Sequence, residues 1–270
     1  MATSNIVISD GLKNQLLGSY SVRDILRGGH IDVYPSPAPA NANAAAAGTK
    51  LLKITRSSLV SKVAQVVRIT PTAGSAAGAS WRVTVNGDTV KFTDDGSPTA
   101  AEICTGLTNL LTVLAGGALT TPAGIIVSAR CNLTFTVTNN GNTIDITSAT
   151  AGIPIDVTAE LAAGTGSIGT GASLIAATTV LDAYGISLDL TSITTGLITK
   201  PAGEVWSAAG LADGTAGYFR FVRDDDDGTL SLTQPRIQGI VSTSNAPLII
   251  KNINIYENAT TTVDSFQIQT

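Results

Sequence analysis

Between Trp81 and Phe92 the chain reads Trp-Arg-Val-Thr-Val-Asn-Gly-Asp-Thr-Val-Lys-Phe, two alternating runs around Asn86-Gly87. A two-residue type I′ turn needs positive φ at both central residues, and Asn-Gly meets that need at little steric cost. Alternation puts every second side chain on one face of a strand. The segment therefore reads as a β-hairpin. Short alternating runs bounded by turn residues recur elsewhere: His30–Tyr34, Leu51–Ile54, Val63–Thr70, Leu133–Thr138, Thr143–Thr147, Gly217–Arg223, Thr229–Thr233, Arg236–Val241, Leu248–Ile253 and Val263–Gln269. In the last third, turn signals return about every 10 residues, the spacing of an antiparallel sandwich or jelly roll. The expected fold class is mainly β.

Helical spacing is confined to two places. Ser9 or Asp10 can cap a short helix through Leu17, and a second turn runs over Val22–Leu26 before Arg27-Gly28-Gly29 stops it. Residues 97–115 place Ile103, Leu107, Leu110, Leu111 and Leu114 on one stripe, with Ser97 or Thr99 as cap and Glu102 in the first turn. Pro35, Pro37 and Pro39 alternate and lead into an alanine-rich stretch ending at Gly48. Alternate prolines cannot continue a hydrogen-bonded ladder, so 35–48 reads as an extended arm.

The order of elements is β, then α+β, then β. A compact hairpin–helix–strand unit between two all-β stretches points to an insertion, which surface loops tolerate. The expected division is a discontinuous β-sandwich domain, 1–57 plus 166–270, interrupted by an α+β domain at 58–165. Residues 162–173, rich in Ala, Gly, Ser and Thr, read as the returning linker.

With 270 residues the chain can bury one large or two small cores. Its 13% charged residues, half the usual share, leave Thr, Ser, Asn and Gly to make the polar surface. That suits surfaces packed against neighbours. A net charge of −4, with no basic stripe, argues against nucleic acid and against anionic membranes as partners. Met1–Val7 lacks the basic and apolar regions of a secretory signal, and no run reaches the ~18 apolar residues of a membrane span. The expectation is a protein made in the cytoplasm that stays soluble there or leaves the cell inside something larger.

The residues that could carry chemistry are few. His30, the one histidine, has Asp32 on the same strand face, but there is no G-x-S-x-G elbow. One histidine with Cys104 and Cys131 is too small a set for zinc; the two cysteines read as buried hydrophobes, a single bridge between them being the alternative. Gly164-Thr-Gly-Ser-Ile-Gly169 matches G-x-G-x-x-G, with Asp189 twenty residues on, but no βαβ pattern surrounds it. Asp224, Asp225, Asp226 and Asp227 offer carboxylate oxygens of the kind Ca²⁺ takes, without EF-hand spacing; the competing reading is a solvated turn that discourages edge pairing. No catalytic residue, cofactor or firm metal site is expected.

Two blocks resemble virion proteins of tailed bacteriophages. One is Arg23-Asp-Ile-Leu-Arg-Gly-Gly-His-Ile-Asp-Val-Tyr34, followed by Pro39-Ala-Asn-Ala42 and Gly48-Thr-Lys-Leu-Leu52. The other is Gly203-Glu-Val-Trp-Ser207, Gly214-Thr-Ala-Gly-Tyr-Phe-Arg-Phe-Val222 and Arg236-Ile-Gln-Gly-Ile-Val241. In similar phage proteins such blocks can lie close in sequence; here residues 53–202 separate them, as an insertion would. Within that insertion, Val85-Asn86-Gly87, a return strand to Phe92 and Pro98-Thr-Ala-Ala-Glu-Ile103 opening a helix are similar to modules of tail sheath and tail-associated proteins. The resemblance implies a non-enzymatic virion protein: a capsid decoration or cement protein contacting the major capsid protein and copies of itself, or a collar, tail or baseplate component or adhesin. It supplies no catalytic residues. On this view the arm at Pro35, Pro37 and Pro39 lies across a neighbour, and deleting 35–48 weakens assembly while leaving the monomer folded. A reading of another class is a carbohydrate-binding module, which would need Trp81 or Trp206 exposed beside a groove.

Overall fold

The computed structural model describes residues 6–18, 21–72, 80–93, 98–116, 125–126, 135–162, 175–189 and 197–269. The chain is mainly β and divides into two compact units: Met1–Lys62 with Gly152–Pro154 and Ala183–Thr270, and Val63–Ala151 with Ile155–Asp182. The insertion expected at 58–165 thus extends to Asp182, because Ile175–Leu181 is a strand paired antiparallel with Val66–Pro71 of the second unit.

In the first unit a single sheet closes on itself. Arg236–Ser242 pairs with Tyr218–Val222, then His30–Tyr34, Leu52–Arg56, Trp206–Ala209 and Thr260–Gln269 follow in turn. Leu248–Ile250 bridges the last strand, antiparallel, and the first, parallel. The result is a seven-stranded barrel where an open sandwich or jelly roll was expected. Closure removes the two open edges that a sandwich sheet would leave. Inside, Phe266 meets Trp206, Phe219 and Phe221 at centroid distances of 5.5, 5.6 and 5.9 Å. Ile31, Val33, Leu52, Ile54, Ile237 and Leu248 fill the rest. Truncating a ring at the centre of such a core costs about 3–5 kcal/mol.

Helix Asp10–Leu17 starts as its sequence predicts, with the Ser9 hydroxyl accepting from Leu12 N at 3.2 Å. Gly11 is required there, since a Cβ would lie 2.3 Å from the Thr233 carbonyl oxygen. Thr229–Thr233, whose alternation predicts a strand, is an irregular loop. Its backbone is committed elsewhere. Ser231 Oγ accepts from the N–H of Thr233 and Gln234, and Asp227 Oδ1 accepts from Thr229 N. These side-chain caps replace a ladder.

The second unit has two four-stranded antiparallel sheets and the helix Ala100–Ala115. The hairpin forms as read, with Val85 opposite Asp88, and Asn86 and Gly87 at φ of 54° and 98°. Thr99 and Glu102 make a reciprocal capping box at the start of the helix. Ile103, Leu107, Leu111 and Leu114 pack with Trp81, Val83, Val90, Ile144 and Ile146 in a core of their own. Cys104 is a free, buried thiol in this helix, pushed up to about 11 by burial, so it forms no bridge; Cys131 lies outside the described residues.

Candidate interaction site on the barrel

Alternation along His30–Tyr34 and Tyr218–Val222 sends Ile31, Val33, Phe219 and Phe221 inward. The outward face of an antiparallel barrel ordinarily meets water. Here both strands are buried at every residue. The outward side chains form a polar row across four strands, Lys53 opposite Asp32, Asp32 opposite Arg220, and Arg220 opposite Gln238. Two of the largest buried side chains among the described residues, Arg220 and Arg236, lie on this face.

The cover is the segment 35–48. Arg220 Nη1 donates to Ala44 O at 2.8 Å. Arg236 Nη1 faces the carbonyl oxygens of Ala42, Asn43 and Ala44, each at 3.3 Å. Gln238 Nε2 donates to Pro39 O at 2.8 Å. The Tyr218 hydroxyl accepts from Ala47 N and donates to Ala47 O, and Ala46 N donates to Gly228 O. Close approach is possible because residue 217 is glycine: a Cβ there would lie 2.2 Å from Ser36 Oγ. The prolines mark the rim, with Pro37 exposed and Pro35 and Pro39 half-buried. The arm expected to reach across a neighbour is therefore a strap on its own barrel. Removing 35–48 would strip buried guanidinium groups of their acceptors, so the expectation that this deletion leaves the monomer intact does not stand.

The four aspartates do not gather into a cation site. Asp226 is buried and takes Arg236 in a bidentate pair, Nε–Oδ2 2.5 Å and Nη2–Oδ1 2.8 Å. Asp224 takes Lys62, with Lys53 at 4.0 Å. Asp225 faces Arg223 at 3.4 Å. Asp227 caps Thr229, whose hydroxyl and N–H hold its carboxyl below the usual range. Among the described residues no group of three His, Cys, Asp or Glu is placed to hold a metal ion.

His30 sits between one of these carboxylates, Asp224, and Asp32 of its own strand. Its Nε2 lies 3.3 Å from Asp32 Oδ1 and its Nδ1 3.9 Å from Asp224 Oδ1. Lys50 Nζ reaches the other Asp32 oxygen at 2.6 Å, and the Tyr34 hydroxyl donates to that oxygen at 3.3 Å. Burial pushes the Asp32 carboxyl up, but His30 and Lys50 outweigh it and hold it below its ordinary value. Burial, with the Asp32 charge beside it, pushes the Tyr34 phenol up. Among the described residues no hydroxyl or thiol is hydrogen-bonded to His30. The arrangement is a polar network that ties the strand His30–Tyr34 to Lys50 and to the turn at Asp224.

The remaining sequence features fall elsewhere. Gly164–Gly169 lies outside the described residues, and Asp189 N donates to Thr199 O in a bridge. Trp81 and Trp206 are buried, at 1% and 0% exposure, which counts against the carbohydrate-binding reading. Trp206 Nε1 donates to Glu204, which also takes Ser187 and Arg56. Arg220, Arg236 and Gln238 were missed as strap anchors. The available signal was long polar side chains at alternate positions in strands whose other residues are strongly apolar. Comparison with protein families, curated proteins and solved structures finds no match to this chain. Among the described residues no helix is long and apolar enough to cross a membrane.

Proposed function

We propose that the chain is a non-enzymatic structural component of a tailed-bacteriophage virion, a decoration or cement protein that binds the major capsid protein and copies of itself. The observation that carries this reading is the meeting of the two phage-like sequence blocks. His30–Tyr34 from the first pairs along its length with Tyr218–Val222 from the second, which pairs with Arg236–Ser242. The intervening Pro39–Ala42 segment is bonded to the same face. The resemblance thus falls on one mechanical device: a closed barrel whose outer face is strapped by a neutral chain segment. A closed sheet with buried ion pairs suits a part that must keep its shape under load. A second reading, a collar or tail component, draws on the other unit, where the Asn86-Gly87 hairpin and the capped helix Ala100–Ala115 adjoin in sequence as in tail-associated modules.

Immunogold microscopy of purified particles, with antibody against the 63–182 unit, tests both. Gold over capsid faces is the expected result. Gold at the neck or tail replaces the first reading with the second. Unlabelled particles that also lack the protein by mass spectrometry overturn both.

A further inference from the structure

The dipeptide Asn-Gly occurs twice, at Asn86-Gly87 and at Asn140-Gly141. Both copies lie in the second unit, each in the connection between two paired antiparallel strands. Asn-Gly is also the pair most open to one covalent change. The glycine main-chain nitrogen gives up its proton and attacks the carbonyl carbon of the asparagine side chain. A cyclic imide forms and the side-chain nitrogen leaves as ammonia. Water then opens the ring at either carbonyl, leaving aspartate or isoaspartate, in which the main chain runs through the side-chain carbon. Glycine sets no side chain in the path of the attack.

The two asparagines are held differently. Asn86 is half-buried, at a φ of 54° fixed by the tight turn between paired Val85 and Asp88. Its main-chain N–H donates to Asp156 O at 2.8 Å, and its side-chain oxygen accepts from Asp156 N at 2.9 Å. Swinging its side chain onto Gly87 breaks that second bond and leaves the Asp156 N–H without its acceptor. Asn140 and Gly141 are exposed. The Asn140 side-chain nitrogen donates to Asp145 Oδ2 at 3.0 Å and the Gly141 N–H to Asn139 Oδ1 at 2.8 Å, both at the surface. Water replaces surface partners at little cost. At both glycines the space where a Cβ would stand is open to 4 Å. Access to the nitrogen therefore does not separate the two sites; the hold on the asparagine does.

We propose that Asn140 is a site of spontaneous modification, converted by water to aspartate and isoaspartate, and that Asn86 in the same unit is protected by its bonds to Asp156. The change acts on a defined neighbourhood. The group that donates to Asp145 becomes a carboxylate beside it, and Asp145 already holds Arg68. Isoaspartate also lengthens the main chain of the loop joining Phe135–Asn139 to Ile144–Ser148, where Asn140 N donates to Thr143 O.

Incubation of the full chain in mildly alkaline buffer, followed by peptide mapping with tandem mass spectrometry, tests it. Asn140 should convert roughly tenfold faster than Asn86, the factor expected where one site must first give up a sheltered hydrogen bond. Isoaspartate should appear at 140 as a second product of the same mass as aspartate, eluting apart from it. In denaturant, where neither hold survives, the two sites should convert at similar rates. Asn140→Gln, whose longer side chain closes a larger and slower ring, should remove the product at 140 and leave the slow conversion at 86 unchanged. Equal rates in the folded chain overturn the proposal, since the bonds to Asp156 would then protect nothing. So does a folded chain in which Asn86 converts first, or one in which Asn140 stays intact while the denatured chain converts.

Discussion

Two strands with the same sequence logic end up in different surroundings. His30-Ile-Asp-Val-Tyr34, in the barrel, and Ile144-Asp-Ile-Thr-Ser148, in the second unit, both alternate apolar with polar and both carry an aspartate on the polar side. In the second, Asp145 and Thr147 are only half-buried while Ile144 and Ile146 fill the core. In the first every residue is buried. Alternation marks which side chains meet the core, but it does not say whether the other face meets water. In the barrel a segment with no periodicity of its own decides that, by offering main-chain carbonyls to two arginines and a glutamine.

The largest expected effect breaks that difference directly. Arg236→Ala leaves the Asp226 carboxylate buried and unpaired and strips acceptors on the strap and at Thr229 of their donor. Breaking a buried pair in this way costs about 3–5 kcal/mol. The two tryptophans make the test local, since Trp206 lies in the barrel core and Trp81 in the other. In denaturant, Trp81→Phe background chains should show the Trp206 transition moved down by Arg236→Ala. Trp206→Phe background chains should show the Trp81 transition unmoved. A shift read by both tryptophans would mean that the strap supports the whole chain rather than one unit.

A smaller effect belongs to the second unit. Gly106 sits inside the helix Ala100–Ala115, where alanine would ordinarily be preferred by about 1 kcal/mol. A Cβ there would lie 2.2 Å from the Phe92 ring. Gly106→Ala should therefore destabilise this unit by about 1–3 kcal/mol, the cost of overpacking, seen in the Trp81 transition. A stabilised variant would mean that Phe92 moves aside freely.

Next comes pH. The Asp32 and Asp145 carboxyls are both held below their ordinary value, Asp32 by His30 and Lys50 against burial and Asp145 by Arg68. The unfolded state then binds more protons than the folded one as pH falls past the unfolded value near 4, so each contribution is present above that pH and is lost below it. Asp32→Asn should flatten the acid limb of the Trp206 transition, with little dependence on salt because the site is enclosed. Asp145→Asn should flatten the Trp81 limb only at low salt. Equal salt dependence for the two would show that the strap admits water and ions.

Much of this was legible in the residues. The Asn86-Gly87 hairpin, the capped helix and the strands of both units follow from period and turn chemistry, which act locally. Closure of the barrel was not legible, because it depends on Leu248–Ile250, a three-residue strand that pairs parallel with one neighbour and antiparallel with another, and periodicity does not say which strands a short run will join. Nor was the fate of Thr229–Thr233, where alternation lost to side-chain caps from Asp227 and Ser231. The aspartate run looked like one feature and is four: a buried partner for Arg236, a partner for Lys62, an exposed pair with Arg223, and a turn cap. Neighbours in sequence point different ways when a turn is tight, and only the fold says which one faces inward.

The smallest expected effect completes the comparison. Arg68 and Asp145 form the same bidentate geometry as Arg236 and Asp226, with Nε–Oδ1 at 2.7 Å and Nη2–Oδ2 at 2.8 Å. The arginine side chain, however, is 41% exposed. Water solvates each ion almost as well as its partner does, and salt screens what is left, so pairs of this kind add little. Arg68→Ala should leave the Trp81 transition within experimental scatter at physiological salt, although its two hydrogen bonds to Asp145 match the two that Arg236 makes to Asp226. Should Arg68→Ala prove as damaging as Arg236→Ala, geometry would be the determinant. The expected contrast instead assigns the difference to what surrounds the pair: two ions under a strap have no water to return to when one of them is removed.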